Sequence, residues 1–560
     1  MELIKKYRAE KWAVRRALVS VAVISVIASL CLLAVPLYLF QVYDRVLFSR
    51  SFETLLALSA IVALVLITFG ILDALRNMLL AKIGIRFESK VAGLLLAGEL
   101  AQPQGASKAS LALVANIRQV VTSNVFPSIF DLPVVIIFLA IVFAIHPLLG
   151  GVVLFGIVLL LVLTFLGELA TSGGIKETQQ LGNEAQRKLD SQFRQRELVR
   201  ALGLYRESVA DWGETQSKHL SGLIRVTGRG SGFSAASKTA RQLVQIALIG
   251  GGAALVLADQ VTAGIIFATS VVGSRALAPI EAIVNGWRQL KQASLNLKQL
   301  DQRFESLKLP DQQTPLPRPK GKVVADRVAY VPGPGQKPIL KGITGAIQPG
   351  EVVAVIGPSG AGKSTFARTL IGYLEPTAGN VLLDGQDLKA WDPVTRGMHM
   401  GYQPQQAGFF EGTVRDNIAR MRRQDPPELA VEAARFVGIH DMIMSFPDGY
   451  DTMISELGFQ PSGGQKQLLG LARAFYGSPV FVVLDEPNAN LDSDGEKILY
   501  RTLHSAKAEG IATVVVTQRP ALLNHVDKVL ILKAGQVDAY GPPAEVMKGQ
   551  VVRAVPNKAS

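Results

Sequence analysis

The sequence predicts a chain in two parts: an α-helical membrane domain of six spanning helices, then a soluble α/β domain built on a mostly parallel sheet. Three observations carry this. Of the 560 residues 49% are hydrophobic, and mean hydropathy is positive at +0.29. Long apolar runs recur up to about residue 285. Beyond a proline-rich stretch, short β-rich runs such as Glu351 to Ile356 and Val480 to Leu484 alternate with helical patterns.

Taken in order, the chain opens on a basic N-terminus, 1–16, with Lys5, Lys6, Arg8, Lys11, Arg15 and Arg16. Ala17 to Phe40 then carries no charge. That exceeds the roughly 7–15 residues of a signal-peptide core and suffices to cross a hydrocarbon layer about 30 Å thick, so it reads as the first span. Runs at 54–75, 119–145, 148–169, 242–258 and 260–285 complete six, the fifth and sixth being short of charge-free length. Asp131, Asp259 and Arg275 mark the weak points of these spans. An ionisable residue in a span is costly unless it faces protein, water or a helix end, so the three lie near an interface or line a path. The single cysteine, Cys31, sits in an apolar run, which excludes an intramolecular disulfide and fits a small buried hydrophobe.

About 40 polar and amphipathic residues separate the second and third runs, and about 70 the fourth and fifth; the other connections are short. The stretch 172–241 is rich in Lys and Arg, whereas the short loops hold only Arg45 and Arg50. The positive-inside rule therefore places the N-terminus, both long connections and the soluble domain in the cytoplasm. It also explains most of the net charge of +13 as topology and argues against a nucleic-acid partner. Glu184 to Trp212 keeps helical spacing without a continuous apolar run, as spanning helices that continue into the cytoplasm would. The membrane domain then occupies 17–307. Pro310, Pro315, Pro317 and Pro319 make 308–321 a stiff, extended linker, the soluble domain covers 322–550, and 551–560 form a tail.

Within the soluble domain, Gly357, Pro358, Ser359, Gly360, Ala361, Gly362, Lys363 and Ser364 match the P-loop pattern, after the run Val352 to Ile356 and at the start of a helix continuing through Thr365. Glycines at these places let backbone N–H groups curl round phosphate oxygens. Lys363 can reach the terminal phosphates and Ser364 can ligate magnesium, which points to ATP with Mg2+. Phe481 to Asp485 reads as a buried strand ending in a carboxylate, where Asp485 would hold the metal through water. Glu486 follows and is suited to orient the attacking water.

Ser462, Gly463, Gly464 and Gln465 lie some 20 residues before Asp485. With the P-loop, Gln405 and Asn490-Leu491-Asp492, they resemble the ATP-binding-cassette (ABC) family. The resemblance implies an ABC-exporter fold and an ATP hydrolase coupled to transport. It also implies a homodimer in which Ser462 to Gln465 of one chain close over the nucleotide held by the other, while Gln405 senses metal and γ-phosphate near the membrane domain. The counterpart of Gln405 there would be the turn around Ala201 to Tyr205. Val42-Tyr43-Asp44-Arg45-Val46-Leu47, Asp131-Leu132-Pro133 and Gly541-Pro542-Pro543 are similar to type I secretion exporters. Only 16 residues precede the first span, with no cysteine-peptidase domain, which is closer to the protease and lipase exporter branch. That branch implies an inner-membrane exporter of unfolded proteins with C-terminal secretion signals, working with a periplasmic adaptor and an outer-membrane channel. A lipid or drug exporter of the same architecture is the alternative, and a regulatory membrane protein that binds ATP without sustained turnover is a third reading.

Three departures from the family pattern stand out. In Thr517-Gln518-Arg519-Pro520, glutamine occupies the switch position that is usually histidine. An amide can donate a hydrogen bond but carries no proton or charge, which predicts slower hydrolysis with ATP binding kept. Pro461 replaces the leucine that usually begins the signature. For adenine, Tyr330 is the nearby aromatic, either stacked on the base or an ordinary strand residue.

Overall fold

The computed structural model describes residues 2–102, 108–307, 316–333, 335–455 and 458–546. The chain divides into two compact units, Met1–Leu309 and Pro310–Ser560. The tail 551–560 and the part 308–315 of the expected linker lie outside the described residues.

The first unit is helical: α1 (Glu2–Cys31), α2 (Ala34–Gln41), α3 (Phe52–Leu100), α4 (Lys108–Val121), α5 (Phe126–Ile145), α6 (Pro147–Arg194), α7 (Arg196–Ala201), α8 (Tyr205–Leu257) and α9 (Ala263–Ser306). Six segments are long and apolar enough to cross a membrane, Leu3–Ser49 counting as one. At about 1.5 Å per residue, the 53 residues of α8 reach about 80 Å, against a hydrocarbon layer of about 30 Å, so the long helices project far beyond it. Side chains from α5, α6, α8 and α9, among them Phe138, Leu149, Leu160, Leu248 and Leu277, build one core. None of the most apolar window of α3 is buried, which suits contact with lipid hydrocarbon.

Two runs break where the sequence predicted continuity. The first span is interrupted after Cys31 because Pro36 has no N–H to give and its ring crowds the carbonyl four residues back, at Leu32. The run 119–145 splits between α4 and α5. There the Thr122 and Ser123 hydroxyls bond back to the carbonyls of Arg118 and Val120, and Pro127 opens α5.

The basic N-terminus is packed rather than trailing. Tyr7 stacks on Phe304 with ring centres 4.2 Å apart and donates to Asp301 at 2.7 Å, which Lys11 also approaches at 2.9 Å. Of the three ionisable residues singled out in the sequence, Asp131 pairs within the helices: it accepts from Ser29 at 2.9 Å and meets Arg76 at 3.3 Å. Asp259 lies in the turn after α8 with φ +55°, and Arg275 is exposed on α9. The segment Ala201 to Tyr205 turns the chain from α7 into α8, with Gly203 at φ +67° and Leu202 and Tyr205 exposed.

The string Val42 to Leu47 takes a π-helical turn over Val42–Val46. Its Asp44 accepts from the backbone N–H of Gly264 at 2.8 Å and from the Thr262 hydroxyl, and Tyr43 stacks on Phe267 at 4.1 Å. The end of the first span is thereby clasped to the start of α9.

The second unit contains β1 (Val323–Tyr330), β2 (Leu340–Ile347), β3 (Val352–Ile356), α10 (Lys363–Leu370), β4 (Ala378–Leu383), β5 (Gln386–Asp387), β6 (Met400–Gln403), β7 (Gly412–Thr413), β8 (Met453–Ile454), α11 (Gly463–Phe475), β9 (Phe481–Asp485), α12 (Ser493–Ala508), β10 (Ala512–Val516), β11 (Lys528–Lys533) and β12 (Gln536–Gly541). A six-stranded sheet runs β12-β11-β3-β10-β9-β6, parallel except at β12. Its central strands are buried on both faces, hence the runs of Val and Leu. An antiparallel sheet β2-β1-β4-β5 and a small pair β7-β8 complete it. The described end of the expected linker is pinned to this unit: the N–H groups of Gly321 and Lys322 donate to Asp384 at 3.2 and 2.9 Å, and Arg318 donates to the Ser478 carbonyl.

Candidate active site

The residues singled out in the soluble domain converge at the carboxyl ends of neighbouring strands β3, β10, β9 and β6, the crevice where open α/β sheets bind ligands. The loop Gly357 to Gly362 joins β3 to α10. At Gly357, φ is +151°, and a Cβ there would stand 2.1 Å from the Leu532 carbonyl oxygen. Gly362 has φ +97°, and its Cβ would meet Leu340 at 2.9 Å. No other residue type fits either place. The apex, Pro358, Ser359 and Gly360, is exposed, while Ala361 is buried. Lys363 is buried too and folds back, its ammonium donating to the carbonyls of Gly357 and Pro358 at 2.9 and 3.0 Å. Thr365 follows in the first turn of α10, half-buried.

Ser364 donates its hydroxyl to Asp485 Oδ1 at 3.1 Å. Asp485 ends β9 with no exposed surface, and among the described residues its Oδ2 has no hydrogen-bond partner. Burial, and then the adjacent Glu486 charge, push its carboxyl above the usual range, opposed by the Ser364 hydroxyl and the Arg368 and Lys363 charges. A buried carboxylate oxygen without a donor, beside a serine hydroxyl, is the donor set a hydrated Mg2+ would complete. These residues fit that ion.

Glu486 leaves the strand with φ +49°, a left-handed conformation uncommon for a glutamate and one that turns its side chain out of the sheet. Its N–H donates to the Val516 carbonyl at 2.9 Å. Both carboxylate oxygens accept amide hydrogen bonds: Oε2 from Gln405 at 2.7 Å and Oε1 from Gln518 at 2.6 Å. The structure thus gathers Gln405, Glu486 and Gln518 in one cluster and Lys363, Ser364 and Asp485 beside it. Tyr330 ends β1, half-buried against the cluster that includes Ala361, and its carbonyl accepts from Ile339, whose own carbonyl borders Gly362.

The signature residues begin α11. Ser462 and Gln465 form a reciprocal capping box, at 3.3 Å from the Gln465 N–H to the Ser462 hydroxyl and 2.8 Å from the Ser462 N–H to Gln465 Oε1. Asn490 packs against both glycines: a Cβ at Gly464 would crowd its carbonyl oxygen at 3.1 Å, whereas one at Gly463 would make an ordinary contact with its Cβ at 3.4 Å. Asn490 has φ +63°, Leu491 is buried and Asp492 caps α12 through the Gly495 N–H at 2.8 Å. The hydrogen bonds of Ser462 and Gln465 run to each other, and among the described residues none reaches Gly357 to Ser364. Among the described residues, no hydrogen bond therefore ties the signature to the phosphate loop.

Sequence reasoning missed Gln403, Gln467 and Asn488. Asn488 accepts from Thr517 at 3.3 Å and Thr517 in turn accepts from the Arg519 N–H at 3.1 Å, a brace between the loops carrying Glu486 and Gln518. For Gln467 the signal was a polar side chain beside Leu468 and Leu469 in an apolar stretch.

Residues 340–489 match the family model described as ABC transporter. The fold is that of an ABC exporter: a bacterial Atm1-family ABC exporter with ATP bound superposes with a TM-score of 0.82 at 20% identity, covering 96% of each chain. The chain is an ABC transporter, a multi-pass membrane protein that binds nucleotide and couples ATP hydrolysis to transport. It is 33% identical to the type I secretion system ATP-binding protein PrsD of Rhizobium meliloti (strain 1021), over 96% of this chain and 93% of that one. It is also 25% identical to the toxin RTX-I translocation ATP-binding protein of Actinobacillus pleuropneumoniae, over 95% of this chain and 76% of that one. Within the ABC transporters the chain belongs to the type I secretion system ATP-binding proteins.

Proposed function

We propose that this protein exports unfolded polypeptides bearing C-terminal secretion signals across the bacterial inner membrane, driven by ATP. The observation that carries it is the likeness to PrsD through both units, 33% over 96% of the chain, rather than through the ATPase unit alone. A homodimer of twelve spans is the working assembly, with a periplasmic adaptor and an outer-membrane channel as partners. The dimer is supported by the absence, among the described residues, of any hydrogen bond from Ser462 or Gln465 to Gly357–Ser364, since a second copy would bring the two together across each nucleotide.

In this reading the loop N–H groups of 357–364 and the Lys363 ammonium, released from its carbonyls, bind the β- and γ-phosphates, with Thr365 in the turn behind. Ser364, Gln405 and Asp485 would hold Mg2+, which when bound would supply charge neutralisation for the phosphates. Glu486 orients and polarises the attacking water, Gln518 donates toward the γ-phosphate, Asn490 to Asp492 line the shared interface, and Tyr330 stacks on adenine. The membrane unit spans 17–307, the ATPase unit 322–550.

Affinity purification from the native membrane, followed by ATPase assays with a C-terminal secretion peptide, tests the whole. Copurification of an adaptor and a peptide-dependent change in turnover are expected. Stimulation by small amphiphiles but not by polypeptide, with no adaptor, would replace protein export with lipid or drug export.

A further inference from the structure

Three glutamines form a ladder beneath Glu486. Gln403 ends β6 with no exposed surface, and its amide donates to Gln467 Oε1 at 2.6 Å and to the Gln467 carbonyl at 3.0 Å. Gln467, in the second turn of α11 and 3% exposed, donates to the carbonyl of Gln405 at 3.2 Å. The Gln405 side chain then donates to Glu486. All donors point one way, from β6 through α11 to the carboxylate.

The ladder is not the best solution for packing. Gln403 Oε1 is buried with no partner among the described residues, an arrangement that costs free energy and that an apolar residue at 467, among Leu468, Leu469 and Leu471, would avoid together with its polar neighbours. What the amide at 467 supplies is a donor aimed at the backbone of the loop holding Gln405. That same helix opens at Ser462, the end that would face a second copy's nucleotide.

We propose that Gln467 is a positioning residue for hydrolysis: by fixing the Gln405 backbone it sets the Gln405 amide on Glu486 and links the orientation of α11 to that carboxylate. This rests on Glu486 as the water-orienting group. A helix rotated when its N-terminus engages the partner chain would draw Gln405 with it, so the carboxylate is set correctly only in the closed dimer.

The experiment is steady-state phosphate release by the full-length protein in lipid nanodiscs, comparing Gln467→Met, Gln405→Ala and the double variant. Gln467→Met keeps volume and loses the donor. Its kcat is expected to fall about five- to tenfold with KM for ATP within about twofold, the size of one lost buried hydrogen bond. In the Gln405→Ala background the same change is expected to have no further effect, because the ladder acts only through Gln405. If Gln467→Met does not fold, Gln467→Leu, which matches the neighbouring Leu468 and Leu469 and offers no donor, carries the same expectation. Additive losses, a KM change with kcat intact, or no loss would overturn the proposal. A Glu486→Gln variant run alongside separates the two ideas: if it turns over normally the reading of Glu486 fails, whereas additive losses with an inert Glu486→Gln remove only the ladder.

Discussion

Gln518 donates its side-chain amide to Glu486 Oε1 at 2.6 Å, across the gap between the ends of β10 and β9. Gln405 fills the other oxygen from the opposite side. The carboxylate is held by two uncharged donors, so its charge is met by dipoles rather than by an ion pair, and it can exchange either partner for water when nucleotide arrives. Glu486→Gln keeps the shape and one accepting oxygen but replaces the other by an N–H donor, so one glutamine partner must turn its own amide to accept, and the basic oxygen is removed. Phosphate release is expected to fall by about 10² or more, the usual contribution of a positioned base, while binding of a fluorescent ATP analogue stays near the wild-type level. Near-normal turnover would remove Glu486 from catalysis.

Gln518 has no ionisable proton, so the switch position adds no titration near neutrality. Gln518→His introduces a group with an ordinary pKa of about 6.5, which can approach the γ-phosphate as a cation below that pH. Turnover in this variant is expected to rise several-fold and to acquire a limb near pH 6 to 7 that the native protein lacks. A pH profile of kcat for the two proteins decides it, and unchanged turnover would show that glutamine is not what limits the rate.

Asp485 carries a carboxyl raised above its ordinary range by burial. A raised folded-state pKa means the folded protein binds protons more tightly than the unfolded chain. Stability from this group is therefore present at low pH and is lost as pH rises from the unfolded value through the folded one. At neutral pH without metal, Asp485 is a buried charge whose Oδ2 is unpaired. Asp485→Asn is expected to raise the metal-free unfolding midpoint by about 2 °C while abolishing turnover. The Mg2+ concentration needed for half-maximal turnover should climb as pH falls toward the raised pKa, because proton and metal compete for the same carboxylate. Scanning calorimetry and Mg2+ titrations at several pH values test both halves.

The site was legible in the sequence where its chemistry depends on neighbours in the chain. Gly357 to Ser364 reads as a loop between strand and helix from its glycine spacing after the apolar run Val352 to Ile356, and Asp485 ends a strand of apolar residues; that Gly357 also makes room for the Leu532 carbonyl shows only in the fold. The clustering of Gln405 and Gln518 on Glu486 joins strand ends 81 and 32 residues apart, a relation set by the strand order β10-β9-β6 and not by spacing. The six apolar segments were visible for the same local reason, while the break at 122–125 turned on hydroxyl back-bonds that hydropathy does not register. The Asp131 pair with Arg76 needed two helices to meet, so the sequence left Asp131 between an interface and a path.

The clasp between Asp44 and α9 makes a prediction of its own. Asp44 caps the N–H of Gly264, and a Cβ at that glycine would lie 2.6 Å from Asp44 Oδ1 and 3.0 Å from the Phe40 carbonyl. Removing a carboxylate cap costs about 1 kcal/mol, so Asp44→Ala should lower the unfolding midpoint of the detergent-purified protein by about 2 °C and leave basal phosphate release within about twofold. Gly264→Ala should be worse alone, because the new methyl group must displace both the cap and the Phe40 backbone. In the Asp44→Ala background part of that clash is gone, so the double variant should be more stable than the two separate losses sum to. Strict additivity in thermal unfolding would mean that Asp44 and Gly264 do not touch in the folded protein, and the clasp would be discarded.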